Sequence, residues 1–248
     1  TLFPYTTLFR SNIFILDYLK SNKKIDTATE NLVVKNLKKG FQKLLSYKNK
    51  DGGFGYFSSA ESDVALSAFA LLEFTELKKY VNPDAKLIQG LSSFILSKKN
   101  TNGLFEVRKP YESKKDFSDY SWSRNMYVVY ALSKLGFKNE IEDSFAIMLK
   151  RALATKDSYQ LALLANTAAH LGKQKEYDDL IQMLDQQYET KNIKSKVTFT
   201  GSWGMSADAE TLSLYIMALQ KDEKLNQLKI AEAADQLIGL NGDRKSVV

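Results

Sequence analysis

Very little in this chain is equipped for covalent chemistry. Cysteine is absent and His170 is the only histidine. A thiolate nucleophile, a disulfide and a thiolate zinc site are therefore excluded within it, and any zinc site would have to be assembled from carboxylates. No helical run places carboxylates at ligand spacing. His170 falls on an apolar run just before Gly172, where a residue at the C-terminal end of a helix is expected to cap it rather than act as a base. Glu61 and Asp63 flank one expected helix start, and Asp208 and Glu210 another; negative charge is favoured there by the helix dipole. Repetition at equivalent starts speaks for capping over a catalytic pair. Asp51, before Gly52 and Gly53, suits a turn residue that bonds its own backbone. Trp122 and Arg124, with Tyr120 and Tyr127, form the densest aromatic group. An Arg stacked on Trp either shapes a ligand pocket or makes a rim contact inside a helical barrel, and the rim contact is the expectation. Glu73 and Asp119 are the carboxylates that a glycosidase would need on opposite sides of a cavity. No residue is assigned a catalytic, cofactor-binding or metal-binding role.

The elements that position these residues are organised around the stretch 51–77. Its Asp-Gly-Gly-Phe-Gly run supplies a tight turn. Phe54, Tyr56 and Phe57 can tuck beneath the helix that follows, which has Ser62 or Asp63 as its N-cap and is apolar on most sides. Weaker copies recur at Asn102-Gly103-Leu104-Phe105 and Gly201-Ser202-Trp203-Gly204. The turns near 53, 103 and 201 follow steps of roughly fifty residues, a period typical of stacked helical units. The copy expected near 153 has an apolar helix but no glycine turn. None of these turns carries the Gly-Lys-Ser/Thr ending or the preceding strand of a phosphate loop, so nucleotide binding is not expected.

Apolar periodicity predicts ten helices: 12–21, 26–47, 62–80, 84–98, 118–135, 140–154, 158–171, 174–189, 207–220 and 224–240. Helices 62–80, 118–135, 158–171 and 207–220 read as an inner set, each with an amphipathic partner. The segment 191–199 alternates apolar residues with Lys and Thr, so a short strand is an option there. The fold class is all-α: an antiparallel helical-hairpin barrel or solenoid.

Residues 1–11 match the translation of a sequencing adapter, and residues 243–248 match one frame of its opposite strand; both are set aside as scars. The native segment is read as 12–242, enough for one large helical domain. The formal charge of +6 falls to +4 when Arg10, Arg244 and Lys245 and the single negative charge of Asp243 are set aside. Lysines interleaved with acids around 20–24 and 78–86 argue for solvated surface, not a nucleic-acid footprint. No apolar run approaches the roughly twenty residues that span a bilayer, so direct membrane insertion of this segment is not expected.

A family resemblance joins these features. Asn12–Leu19, Gly40-Phe41-Gln42 with Leu45 and Tyr47, the 51–57 turn and Ser67-Ala68-Phe69 resemble, in order, the pattern of the thioester-containing domain of the α2-macroglobulin and complement superfamily. The large bacterial members are the most similar. The match is specific over 12–74 and continues more weakly through Gly103 and the 127–135 helix. It implies an α/α toroid, here incomplete at its N-terminus. It also implies a bait-and-trap endopeptidase inhibitor, not an enzyme. In that mechanism cleavage elsewhere in the parent exposes a Cys–Gln thioester that captures the protease. The resemblance places the thioester motif just ahead of Asn12, where this chain has no counterpart. The steering histidine of some complement members would align within 108–119, where none occurs. The implied partners are target proteases, met through the full-length parent, and the parent's other domains; the implied location is the periplasm or cell envelope. No cofactor is implied. The rival reading is an α/α-barrel enzyme of the terpenoid cyclase or glycosidase type. Prenyltransferases, which need a zinc-bound Cys, are ruled out by composition, and no inner helix carries the Asp-rich motif of a cyclase.

Overall fold

Short polar side chains set most of the helix starts. Asp26, Asp63, Asp84, Ser118 and Asp157 each accept a backbone N–H from the first turn of the helix that follows, from Thr29, Leu66, Lys86, Ser121 and Gln160 respectively. Each bond satisfies one of the donors that a helix N-terminus leaves without an intrahelical partner. The computed structural model describes residues 13, 16–17, 19–22, 24–57, 60–107, 118–190, 192–193 and 195–242. The expected scars at 1–11 and 243–248 lie outside them, as does most of 108–119.

The chain falls into two units, residues 1–100 and 101–248. In the first, helical residues between 13 and 21 precede α1 (Thr27–Leu45), α2 (Val64–Leu77) and α3 (Ala85–Ser97). Every residue of α2 except Thr75 and Glu76 is buried. It is apolar all round, so it needs neighbours on every side. Phe74 supplies the centre, with Phe41 and Phe54 edge-on to it at centroid distances of 5.3 and 5.4 Å. Leu37, Leu44, Leu71 and Leu77 are buried with these rings.

The second unit contains α4 (Asp119–Lys134), α5 (Glu142–Thr155), α6 (Ser158–Leu171), α7 (Gln174–Glu189), α8 (Met205–Leu219) and α9 (Glu223–Gly242). Single 3₁₀ turns at Asn139–Ile141 and Gln220–Asp222 lead into α5 and α9. Within this unit α6 packs against α4, α5, α7 and α8, and α9 packs against α8. The residues of α6 from Ser158 to Ala168 are all buried; Ala162, Ala165 and Ala168 let its neighbours approach closely. By contrast, α7 buries one stripe, Tyr177, Leu180 and Leu184. The expected division into buried inner helices and amphipathic partners is therefore present, most fully in α2, α4 and α6.

Two expectations change. Among the described residues of 191–199 there is no strand; β-pairing among all the described residues is limited to the isolated bridges Lys48–Phe54 and Phe54–Asp63. The segment is held instead by its backbone at Lys196, Val197 and Phe199, which bonds to helix side chains, and by the stacked Phe199 ring. Where the fifty-residue period lacks its glycine turn, α5 ends in the left-handed conformation at Lys156, with φ of 54°. Lys156 is the only non-glycine residue with positive φ among those described.

Candidate functional site

The turn joining α1 to α2 is tied together by its own polar atoms. Asp51 Oδ1 accepts the Gly53 N–H at 3.0 Å and the Ser62 hydroxyl at 2.6 Å. Asn49 Nδ2 donates to the Ala60 carbonyl at 2.8 Å and to Ser62 Oγ at 2.9 Å. The Phe54 N–H donates to the buried Ser67 hydroxyl at 2.9 Å. Asp51 is thus the turn residue its sequence suggested. Asp63 caps α2, while Ser62, the other candidate, serves the turn instead. Glycine is required at 53: a Cβ there would lie 2.5 Å from the Phe94 ring and 2.6 Å from Ser62 Cβ.

In the second unit, the segment 195–199 is held against the helices by a row of anchors. Asp157, at the start of α6, accepts the Lys196 N–H at 2.9 Å and the Gln160 N–H at 3.1 Å. Burial pushes its carboxyl above the usual range, against the opposing pull of those two N–H donors. The Tyr159 N–H donates to Ser195 Oγ at 3.0 Å, and Ser195 Oγ lies 2.8 Å from Thr211 Oγ1. The Ser123 hydroxyl donates to the Val197 carbonyl at 2.8 Å, and the Phe199 N–H to the buried Tyr159 oxygen at 3.2 Å. The Phe199 ring stacks on Tyr127 at 3.8 Å. Past this strap Trp203 stands 79% exposed.

The aromatic group is paired differently from its sequence order. Arg124 lies over Tyr120 at 5.2 Å and donates to its hydroxyl at 3.0 Å. Trp122 is covered by Arg151 of α5, at 5.4 Å. Residues two apart on a helix point in different directions, so Trp122 and Arg124 diverge. Asp119 is committed to ion pairs with Arg151 at 2.8 Å and Lys196 at 3.1 Å, and Glu73 is buried in α2 of the other unit. Asp208 lies in the first turn of α8, and Glu210 accepts the Thr200 hydroxyl at 2.6 Å. Glu61 lies in the turn before the α2 cap.

His170 does not cap α6. That helix ends at Gly172, whose N–H reaches the Ala168 and Ala169 carbonyls in the left-handed conformation. The imidazole turns sideways, its Nδ1 lying 3.0 Å from Ser133 Oγ of α4. Ser133 Oγ also lies 2.7 Å from the Tyr130 carbonyl oxygen. Burial, with Lys134 and Lys138 nearby, lowers the His170 pKa to about 4. Ser133 is itself buried, and its hydrogen bonds orient the ring without presenting a nucleophile. Among the described residues no group of His, Asp and Glu could hold a metal ion.

Comparison with known proteins decides what this scaffold is. A model of the A-macroglobulin TED domain matches residues 6–227. This chain belongs to the A-macroglobulin TED domain family. It is 24% identical over 239 residues to Thioester-containing protein 1 allele S3 of Anopheles gambiae, covering 87% of this chain and 16% of that protein. It is 25% identical over 237 residues to Ovostatin homolog 1 of Homo sapiens, covering 90% and 18%. Ovostatin of Gallus gallus is 30% identical over 101 residues, 40% of this chain and 7% of that protein. The chain thus spans less than a fifth of the length of the two broader matches. The all-helical architecture of both units is in keeping with the α/α toroid expected from the resemblance. Lacking cysteine, this TED-domain chain cannot itself form a Cys–Gln thioester. The glycine turn, the 195–199 strap and the Ser133–His170 contact are framework. Sequence reasoning missed Asp157, Ser195 and Arg151, whose partners lie a helix away or further along the chain.

Proposed function

We propose that this chain is the thioester-domain portion, without the thioester motif, of a broad-spectrum endopeptidase inhibitor of the α2-macroglobulin type, working by bait and trap. The observation that carries the reading is the TED-domain match over residues 6–227, which coincides with paired helices, buried inner helices and glycine-aromatic turns. The chain's part is to fold as the scaffold that presents the parent's thioester. The parent's partners are then the proteases that cut its bait segment, together with its own neighbouring domains. A bacterial source and a place in the periplasm or cell envelope belong to the same proposal. Among the described residues no helix is long and apolar enough to cross a membrane, so anchoring would fall to other segments. Catalysis is not part of this reading. Asp119 is neutralised by Arg151 and Lys196, which removes support for the glycosidase alternative.

The test is to recover the parent coding sequence upstream of the codon for Asn12, express the parent and incubate it with trypsin. The reading expects a Cys-x-Glu-Gln motif shortly before Asn12. It also expects a protease–parent adduct that survives denaturing electrophoresis and disappears when that cysteine is changed to alanine. A parent without the cysteine that still shields trypsin from large substrates would trap sterically. A parent whose upstream sequence continues a different helical repeat and leaves trypsin unaffected would overturn the proposal in favour of a barrel enzyme.

A further inference from the structure

We propose that a lysine-lined depression on the first unit, between α1 and the turn after α2, binds a phosphate-bearing anion. The depression, of ≈ 440 Å³, is walled by Lys35, Lys38, Lys39, Gln42 and Asn82 over a floor of Phe41 and Val81. The inference does not depend on the macroglobulin reading, because it rests on three lysines that line one depression.

Five lysines elsewhere in the chain are held in ion pairs. Lys20 pairs with Glu30, Lys79 with Asp17, Lys173 with Glu142, Lys196 with Asp119 and Lys229 with Asp185. The acidic content of α1 is one residue, Glu30, and it is taken by Lys20. Among the described residues no ion pair involves Lys35, Lys38 or Lys39, and no carboxylate lines the depression. Lys35 and Lys39 stand one turn apart, a spacing at which like charges repel and weaken the helix. Three lysines and two amide side chains thus line one concavity. Phe41 and Val81, 5% and 7% exposed, close its base. An apolar floor keeps water from one side of the charges and concentrates their field on whatever enters.

The ligand that fits is compact and multiply negative, with several oxygens to share among separate donors. Lysine binds phosphate oxygens as a point charge without demanding a fixed planar geometry. The amides of Gln42 and Asn82 add neutral N–H donors beside the ammonium groups. A phosphate group meets these requirements whether it is carried by a lipid headgroup or is free in solution.

The experiment uses the full chain and two probes: sodium tripolyphosphate, followed by calorimetric titration, and phosphatidylglycerol vesicles, followed by flotation against phosphatidylcholine vesicles. The groove variant is Lys35→Gln with Lys38→Gln and Lys39→Gln. The control variant, Lys150→Gln with Lys175→Gln and Lys224→Gln, makes the same charge change at exposed sites of the second unit. Circular dichroism checks that both fold. Binding by the parent chain is expected to fall at least about tenfold in the groove variant, to stay within about twofold in the control, and to weaken as salt rises. Binding of tripolyphosphate that also displaces vesicles identifies free phosphate as a competent ligand; binding of vesicles alone identifies the lipid headgroup. Failure of both probes to bind, or equal loss in the two variants, overturns the proposal.

Discussion

At the scale of single residues, His170 is the most informative reporter in the chain. It is the only histidine, so an NMR titration yields one imidazole signal. Its pKa of about 4 lies below the ordinary 6.5 because burial disfavours the imidazolium and Lys134 and Lys138 add to the penalty. The folded state therefore holds fewer protons than the unfolded state between these values. Stability is full above about pH 6.5 and is lost as pH falls toward 4. The partial exposure of the ring reduces the loss to about 1–2 kcal/mol. The signal is expected to titrate near 4 in the native protein, and His170→Phe is expected to flatten the stability profile across that window. A native titration near 6.5 would contradict the packing against Ser133. Glycines give a second residue-level contrast. At Gly53 a methyl group would meet the Phe94 ring at 2.5 Å, whereas at Gly90, inside α3, nothing lies within 4 Å. In urea unfolding Gly53→Ala is expected to cost about 1–3 kcal/mol or more, and Gly90→Ala to add about 0.5–1 kcal/mol. Similar effects at the two positions would show that the close approach at Gly53 is wrong.

At the scale of elements, the junction of α5 and α6 repeats the chain's organising pattern with the wrong residue. Lys156 adopts φ 54° where other turns use glycine. Its N–H closes α5 on the Ala152 carbonyl at 2.8 Å, and its carbonyl accepts from Gln187 Nε2 at 2.8 Å. Because these bonds are backbone bonds on the lysine side, glycine keeps them and loses the left-handed strain. Lys156→Gly is expected to stabilise the chain by about 0.5–1 kcal/mol, and Lys156→Val to destabilise it by more than that, measured by thermal unfolding. This junction also shows what a sequence can and cannot disclose. The absence of a glycine near 153 was visible, and so were the helices around it, because apolar period and capping residues are local signals. Asp26, Asp63, Asp84 and Asp157 stop or start helices within a residue or two of the expected places. What replaced the glycine was not legible, since any residue can be forced into the left-handed region by bonds from outside. The same limit explains the pairing of Trp122 with Arg151 and the reading of 191–199 as a strand. Arg151 arrives from the next helix, and the strap is fixed by Asp157, Ser123 and Tyr159, each more than thirty-five positions away in sequence. His170 followed a correct local rule to the wrong partner: it sits in the last turn of α6, but Ser133 of α4 competes for its ring.

At the scale of the whole molecule, the unusual quantity is the apolar surface left outside the core. Leu225, Leu228 and Ile238 of α9 are 81%, 72% and 68% exposed, while Ala233 on the same helix is buried against the unit. Leu225 and Leu228, three positions apart, form one face, on which a polar helix would carry charge. Such faces favour association when nothing covers them. Each added apolar contact removes more area from water, at roughly 25 cal/mol per Å². Relatives that match most of this chain are about five times as long, so in a parent of that kind other segments would compete for the α9 face. The purified chain has no such competitor. It is expected to sediment as concentration-dependent oligomers in the range of tens of micromolar, and Leu225→Gln with Leu228→Gln is expected to shift it toward monomer without altering its net charge or helix content. If the unaltered chain stays monomeric by sedimentation velocity at those concentrations, then α9 does not drive association. If the double variant associates as before, the sticky surface lies elsewhere, and Trp203 with Met205, 79% and 50% exposed, is the next face to change.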